Sequence, residues 1–498
     1  MSEQPRANHG RAGTLGAEVR ALLHRTIEVF ADDPQAVGWL REHLARFDEP
    51  LRVAFAGKVK AGKSTLLNAL VGEEIAPTDA GECTRVVTWY QDGPAPRVRL
   101  FPRAGEPRPL TLVRQRGALR LDLGGPAEEV DRLVVDWPSG YLRGTTLIDT
   151  PGIASLTADT AARAGDFLTP EDAPSPADAV VYLMRHLHGS DMRFLESFRD
   201  TDVAHATPVT TIAVLSRADE IGVGRLDALQ SAGRIARRYQ ADPTLRGLCQ
   251  TVVPVAGLLA QSGRTLRQDE HLALTRLAGL PQATLDSLLL SADRFSTRAA
   301  EGAPEPAVRA ALVERFGLFG VRLAVELIRT GTTDPSALSR ELVRRSGLEE
   351  LRSVLATQFA ERRELLKARS ALLAIDRVVQ RSPRPAAGPL ATERERIMAG
   401  AHEFVELRTL AALRAGTVRF PAEAVPDAER LLGGDGGAAA VRLGLSPETP
   451  PVELREAALA AVVRWQRRAE SPLSSRATAD AARVVVRSAE GLVARLTP

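Results

Sequence analysis

Apolar positions change their period twice along this chain. Leu15, Val19, Leu22, Leu23, Ile27 and Phe30 recur at helical spacing, and Val37, Leu40, Leu44 and Phe47 repeat it after Asp33-Pro34. Two amphipathic helices are expected there, ahead of the first strand and in need of a partner remote in sequence; the residues before Leu15, up to about Gly13, read as a disordered start. From Leu51 to Ala260, short apolar runs closed by polar or glycine-bearing turns alternate with helical stretches, as in a mostly parallel α/β sheet with helices on both faces. The runs predict strands at Val53–Ala56, Val86–Tyr90, Leu133–Val135, Thr146–Asp149, Ala179–Met184, Thr210–Leu215 and Val252–Val255.

From about Ser262 the strand period stops. Leu348, Leu351, Leu355, Phe359, Leu365, Leu366, Leu372, Leu373, Ile375 and Val379 keep one apolar stripe. At about 1.5 Å per residue that stripe predicts a rod of roughly 45 to 50 Å, a stalk rather than the helix of a small domain. Glu393–Arg414, Leu454–Trp465 and Ala479–Leu496 read as further helices, while the Gly- and Pro-rich stretch Pro421–Pro451 reads as a loop or bundle tip.

In a sheet of this kind ligands sit beyond the carboxyl ends of the strands. Val53–Ala56 leads into Gly57-Lys58-Val59-Lys60-Ala61-Gly62-Lys63-Ser64, which fits G-x-x-x-x-G-K-[ST], with Thr65 and a helical pattern behind it. Gly57 and Gly62 let the backbone curl so that successive N–H groups face a β-phosphate at a helix N-terminus. Lys63 reaches the β- and γ-phosphates, and the Ser64 hydroxyl is placed to ligate Mg²⁺. The bland alternative, a turn that binds nothing, is disfavoured by the strand and helix on either side.

Asp149-Thr150-Pro151-Gly152 follows the next relevant run. Asp149 stands where a carboxylate holds Mg²⁺ through water, and Gly152 can offer its N–H to the γ-phosphate. Ser216-Arg217-Ala218-Asp219 is a variant of the T-K-x-D element: the Asp219 carboxylate accepts from the ring N–H and exocyclic amine that guanine presents, and the Arg217 stem can lie over the base. Ala256-Gly257-Leu258 is a small-residue turn suited to backbone contact with the base carbonyl. Each later motif alone is an ordinary strand-end turn. In this order along one α/β pattern they point to GTP/GDP with Mg²⁺, with ATP as the alternative nucleotide.

Composition narrows the setting. A net charge of +3 with 26% charged residues permits an anionic partner without demanding one, and nucleic acid is not expected. Cys83 and Cys249 lack metal-type spacing, which suits a reducing cytoplasm, and no apolar run reaches the roughly 18 residues of a membrane span, so any membrane contact is peripheral. His186 and His188 would need a third ligand to hold a metal, so a structural or dimer-contact role is expected. Arg362, Arg363, Lys367, Arg369, Arg377 and Arg381, interleaved with Glu361 and Glu364, read as a solvated helix face, with lipid or nucleic-acid contact as the alternative. Phe316–Val321 and the loop around Leu431-Leu432 are candidates for membrane insertion, the first more readily read as bundle core.

The phrases GKVKAGKSTLLNALVG, PTDAGECTRVVTWY, LIDTPGI, PVAGLLA and RFGLFGVRLAVELIR resemble the dynamin superfamily, in particular the bacterial dynamin-like proteins of the actinobacterial isoniazid-inducible IniA/IniC type. The likeness is specific over residues 51–380 and vaguer beyond. It implies an α/β P-loop GTPase domain over 51–265, neck helices over 14–50 and an elongated all-α neck or stalk bundle over 266–498 with a tip near 421–451. It also implies GTP hydrolysis, a homodimer through GTPase domains or a hetero-assembly with a sister dynamin-like protein, and binding of anionic lipid at the inner face of the plasma membrane. Carried over by position, Gly57, Lys58, Gly62, Lys63, Ser64 and Thr65 match the phosphate loop, Thr84 the switch I threonine that closes on Mg²⁺, Asp149 and Gly152 switch II, and Arg217 with Asp219 the base-reading element. Ser190 and Asp191 would by analogy touch a partner's nucleotide. Val59 and Lys60 depart from the glutamine and serine of eukaryotic dynamins, so Lys60 becomes a candidate cationic finger supplied in cis, with a solvated surface lysine as the alternative. The alternative from another class is a GTP-dependent regulatory switch that binds a protein or RNA-containing partner without membrane work.

Overall fold

A computed structural model describes residues 14–77, 85–115, 118–152, 175–197, 210–222, 224–414 and 416–497. Residues 1–13, Cys83 and Thr84 lie outside the described residues. Among the described residues eleven strands run β1 Leu51–Gly57, β2 Val87–Asp92, β3 Arg97–Pro102, β4 Arg108–Leu110, β5 Val113–Gln115, β6 Ala118–Arg120, β7 Val130–Trp137, β8 Thr145–Asp149, β9 Ala179–Met184, β10 Thr211–Ser216 and β11 Val252–Val255. Nine form one sheet in the order β11-β10-β9-β1-β8-β2-β7-β3-β4, with β5 and β6 in a separate ribbon. β1, β9 and β10 are buried along their whole length, because parallel strands covered on both faces have no solvent side. β2 runs antiparallel to β8 and parallel to β7, so the parallel half passes into an antiparallel extension.

One face of the sheet shares a continuous apolar core with α1 (Thr14–Val29), α2 (Pro34–Arg46), α3 (Lys63–Val71) and the helices Leu348–Leu355 and Arg363–Arg381. The other face is covered by Ala228–Ala241, Gln268–Ala278 and Pro306–Arg329. A third core joins His402–Arg414, Pro451–Ala469 and Arg476–Leu496. The remote partner of α1 and α2 is the helix Arg363–Arg381, where Arg381 lies over Trp39 at 4.9 Å and Arg384, just beyond it, over Phe30 at 4.2 Å.

The single rod expected over 348–379 is interrupted: Ala356–Ala360 is π-helical and a turn follows before Arg363. The break is held from outside, since Gln358 donates to Gly434 O at 3.1 Å, Arg362 donates to Gly433 O, and Glu361 accepts from Gly437 N. The stretch 421–451 is correspondingly no open tip. It contains helices Val425–Leu431 and Ala439–Leu443, and Leu431 and Leu432 are buried, which removes them as insertion candidates. Phe316, Phe319 and Val321 are buried as well, so that stretch is core. The basic face of the long helix is not simply solvated either: Lys367 is buried and donates to Glu49 O and Phe47 O, joining the helix to the end of α2.

Candidate active site

Register brings the chemistry together. Phe55 on β1 stands beside Asp149 on β8, so the strand that launches the phosphate loop also fixes the carboxylate facing it. Gly57 has φ +148°, and a Cβ there would meet Leu183 O at 2.4 Å; Gly62 follows at φ +92° as the residue that opens α3. Between them Ala61 is buried, Val59 is 44% exposed, and Lys60 is exposed with a left-handed φ of 61°. Gly152 approaches so closely that any Cβ would lie 2.5 Å from Val59 Cγ2, which packs the start of the DTPG turn against the loop.

At the base of the loop Lys63 Nζ donates to Gly57 O at 3.4 Å and Ser64 Oγ donates to Asp149 Oδ2 at 2.7 Å. Asp149 Oδ1 is sealed from solvent and has no hydrogen-bond partner among the described residues. Desolvation raises the Asp149 pKa against the pull of Lys63 and Ser64, and lowers that of Lys63 against the pull of Asp149. These two charges are thus held where neither is fully compensated by the chain.

A cleft runs from Ala61, Gly62 and Thr65 to Arg217, Asp219, Gly257 and Leu258. Asp219 is 7% exposed, and burial raises its pKa, with Glu220 adding to the shift and Arg217 opposing it. Arg217 adopts a left-handed φ of 52° and donates to Glu220 Oε1 at 2.6 Å; Arg185 donates to the same carboxylate's other oxygen at 2.5 Å. Ala256 N donates to Ser346 O at 2.9 Å, and Gly257 opens a helix packed on Thr65. The structure therefore gathers Gly57 through Thr65, Asp149, Gly152, Arg217, Asp219, Ala256 and Gly257 along one edge of the sheet.

Asp191 departs from the expectation that it reaches a partner's nucleotide. It is fully buried, accepting from Lys58 Nζ at 3.0 Å, Tyr182 OH at 2.7 Å and His188 N at 2.9 Å. This clamp on the first variable residue of the loop was not anticipated. The signal was slight: a tyrosine in an otherwise aliphatic strand, and an acid soon after it. His186 and His188 are exposed with ring centroids 6.3 Å apart, and among the described residues no group of acidic, histidine or cysteine side chains forms a metal cluster.

Comparison with known proteins settles what this edge belongs to. The dynamin family profile matches residues 53–216, from β1 to the end of β10. Over 487 residues the chain is 43% identical to the isoniazid-induced protein IniC of Mycobacterium tuberculosis, covering 96% of this chain and 98% of that one. The chain belongs to the dynamin family. As a dynamin-type GTPase it is a GTP-hydrolysing enzyme, and the near full-length match places it with the IniC type. A bacterial dynamin-like protein of Nostoc punctiforme is 34% identical over 22% of this chain and 17% of its own. A solved chain from an oligomerised bacterial dynamin pair covers 98% of this chain and 81% of its own at 13% identity and a TM-score of 0.32, too low to carry argument.

Proposed function

We propose that this GTPase holds GTP with Mg²⁺ at the gathered edge and couples nucleotide-driven dimerisation to binding or remodelling of an anionic membrane at the inner leaflet. The observation that carries the metal is Asp149 Oδ1, an acceptor sealed away without a donor beside the Ser64 hydroxyl. An orphaned polar group of this kind costs about 1–3 kcal/mol, and a hydrated cation is the partner it fits. Ser64 and Asp149 would hold the ion, with Thr84 as the switch I contact. When bound, Mg²⁺ screens the charge of the β- and γ-phosphates.

The chain's own residues do the rest. Backbone N–H groups of Gly57 to Thr65, with Lys58, Val59, Lys60 and Ala61 between the glycines, cradle the phosphates, and Lys63 holds their charge. Arg217, Asp219, Ala256 and Gly257 take the base. Val59 cannot orient water, so backbone groups of Gly152 and Thr84 would, and exposed Lys60 would swing onto the charge that builds between the β- and γ-phosphates. A Lys60→Ala enzyme should bind GTP as the parent does and turn it over about tenfold more slowly, on the order of one lost charge-assisted contact. A parental single-turnover rate would retire the finger.

In this reading residues 51–265 form the GTPase unit, and 14–50 with 266–498 the helical unit it drives. Among the described residues no helix is long and apolar enough to cross a membrane. The surface that best suits lipid is the hairpin of Pro451–Ala469 and Arg476–Leu496: Leu473 in its turn is 95% exposed, Leu459 and Val463 are exposed along the first helix, and Arg467, Arg468 and Arg476 flank them. Sedimentation with anionic liposomes, with and without GTP, tests this, and Leu473→Asp should weaken it. Protein that stays in the supernatant in every nucleotide state would leave the regulatory switch as the better reading.

A further inference from the structure

The helix Pro306–Arg329 is broken at Gly317, whose φ of 63° and ψ of 167° belong to a region that glycine alone enters without strain. The break faces the base-reading carboxylate: a Cβ on Gly317 would lie 3.8 Å from Asp219 Oδ2 and 3.8 Å from Leu258 Cδ1. Those are ordinary contact distances, so what a side chain would disturb here is the backbone bend and not a crowded space.

The helix grips both base-reading elements around that bend. Arg322 Nη1 donates to Gly224 O at 2.7 Å, and Phe319 packs against the same glycine, which closes the loop that carries Arg217 and Asp219. On the other side Ser262, from the helix that Gly257 opens, donates its hydroxyl to Arg315 O, two residues before the bend. Arg315 also pairs with Glu74 and Glu270 and donates to Thr265 O at 3.0 Å. Glu74 lies just past the end of α3, the helix that the phosphate loop opens.

We propose that the Gly317 bend is a positioning element for guanine recognition: it sets where the Asp219 carboxylate stands, and it makes the helix Pro306–Arg329 a sensor of base occupancy that also touches the phosphate-side helix through Arg315. This rests on the reading of Asp219 as the guanine acceptor. The helix lies outside the residues matched by the family profile, so nucleotide identity would be reported directly to the helical part of the molecule. A residue with a Cβ at this position prefers a negative φ, which would re-aim the buried Phe316 and Phe319 and shift the wall beside Asp219.

The test compares dissociation constants of the full chain for GTP and for inosine triphosphate, which lacks the exocyclic amine that Asp219 reads. The parent should prefer GTP; no preference in the parent would overturn the guanine reading itself. Gly317→Ala should shrink the preference about tenfold, the weight of one hydrogen bond to a charged group, while inosine triphosphate binds within about twofold of the parent. Ser262→Ala, which loosens the bend from the other side, should shrink it about threefold and serves if Gly317→Ala does not fold. A parental preference in the folded variant, or an equal loss of both nucleotides, overturns the proposal while leaving the guanine site standing.

Discussion

The two ends of the same sheet bury charge in opposite ways. At the amino ends of β1 and β9, Asp178 is 3% exposed; its Oδ2 accepts from Arg52 N at 3.0 Å, and its Oδ1 lies 3.8 Å from Arg46. Arg46 and Arg52 both reach Glu42, at 2.9 and 2.7 Å, and Arg52 adds Glu49 at 2.8 Å. At the carboxyl ends Asp149 accepts one hydroxyl on one oxygen; its other oxygen, like Asp178 Oδ1, has no hydrogen bond among the described residues, so the contrast lies in the charges around the two carboxylates. Burial raises both carboxyls, but three cations, Arg46, Arg52 and Lys367, oppose the shift at the lower one, where Lys63 is the one cation that does so at the upper. The lower end is a joint binding α2, the sheet and, through Lys367, the long helix. The upper end is left short of partners, and a buried charge short of partners is what a ligand completes.

Removing a charge at each end should therefore have opposite consequences. Lys63→Ala should cost GTP affinity about 100-fold or more, roughly 3 kcal/mol, with little change in the melting temperature of the nucleotide-free protein, because the lost ammonium was itself desolvated. Calorimetric binding within tenfold of the parent would break the comparison. Asp178→Ala strips the buried Arg52 N–H of its acceptor and removes the carboxylate that faces Arg46, Arg52 and Lys367, and should destabilise the fold by about 3 kcal/mol in denaturant titrations. GTP binding by the folded fraction should stay parental. A variant as stable as the parent would mean that the lower network is dispensable.

Much of the upper end was legible because strand ends, glycines and Lys63 sit in an order that few other arrangements use, and β9 and β11 run over the residues their apolar runs marked. In the extension the runs marked β2 and β7 but neither β3 and β4 nor the antiparallel pairing. Arg97–Pro102 does alternate arginine with buried Val98 and Leu100, but over only four residues before Phe101 and Pro102 end the pattern; Arg99 and the neighbouring Arg132 lie over Phe101 at 5.7 and 4.6 Å. The break in the long helix escaped because periodicity sees one helix at a time, whereas Gln358 and Arg362 are captured by glycines remote in sequence. Gly317 escaped for a related reason. Phe316, Val321, Val325 and Ile328 keep core spacing around it, so a glycine among them reads as packing and not as a bend against Asp219. The Lys58–Asp191 clamp depends on the register of Gly57 beside Leu183, which no single-strand pattern specifies.

The finest separation of the two ends comes from pH. His43 on α2 is buried at the joint; desolvation, with Arg46 nearby, lowers its pKa from 6.5 to about 3. In the unfolded chain the ring takes a proton near 6.5, while the folded chain refuses it until about 3, so stability is lost as pH falls below 6.5. The slope approaches about 1.4 kcal/mol per pH unit for one proton, and between pH 6.5 and about 5 the ordinary carboxylates have not begun to titrate. Denaturant midpoints across that window should fall for the parent and stay nearly flat for His43→Leu, whereas nucleotide affinity at the far edge of the sheet should follow the same pH course in both. A parental slope in the variant would mean that the acid sensitivity lies elsewhere than this joint.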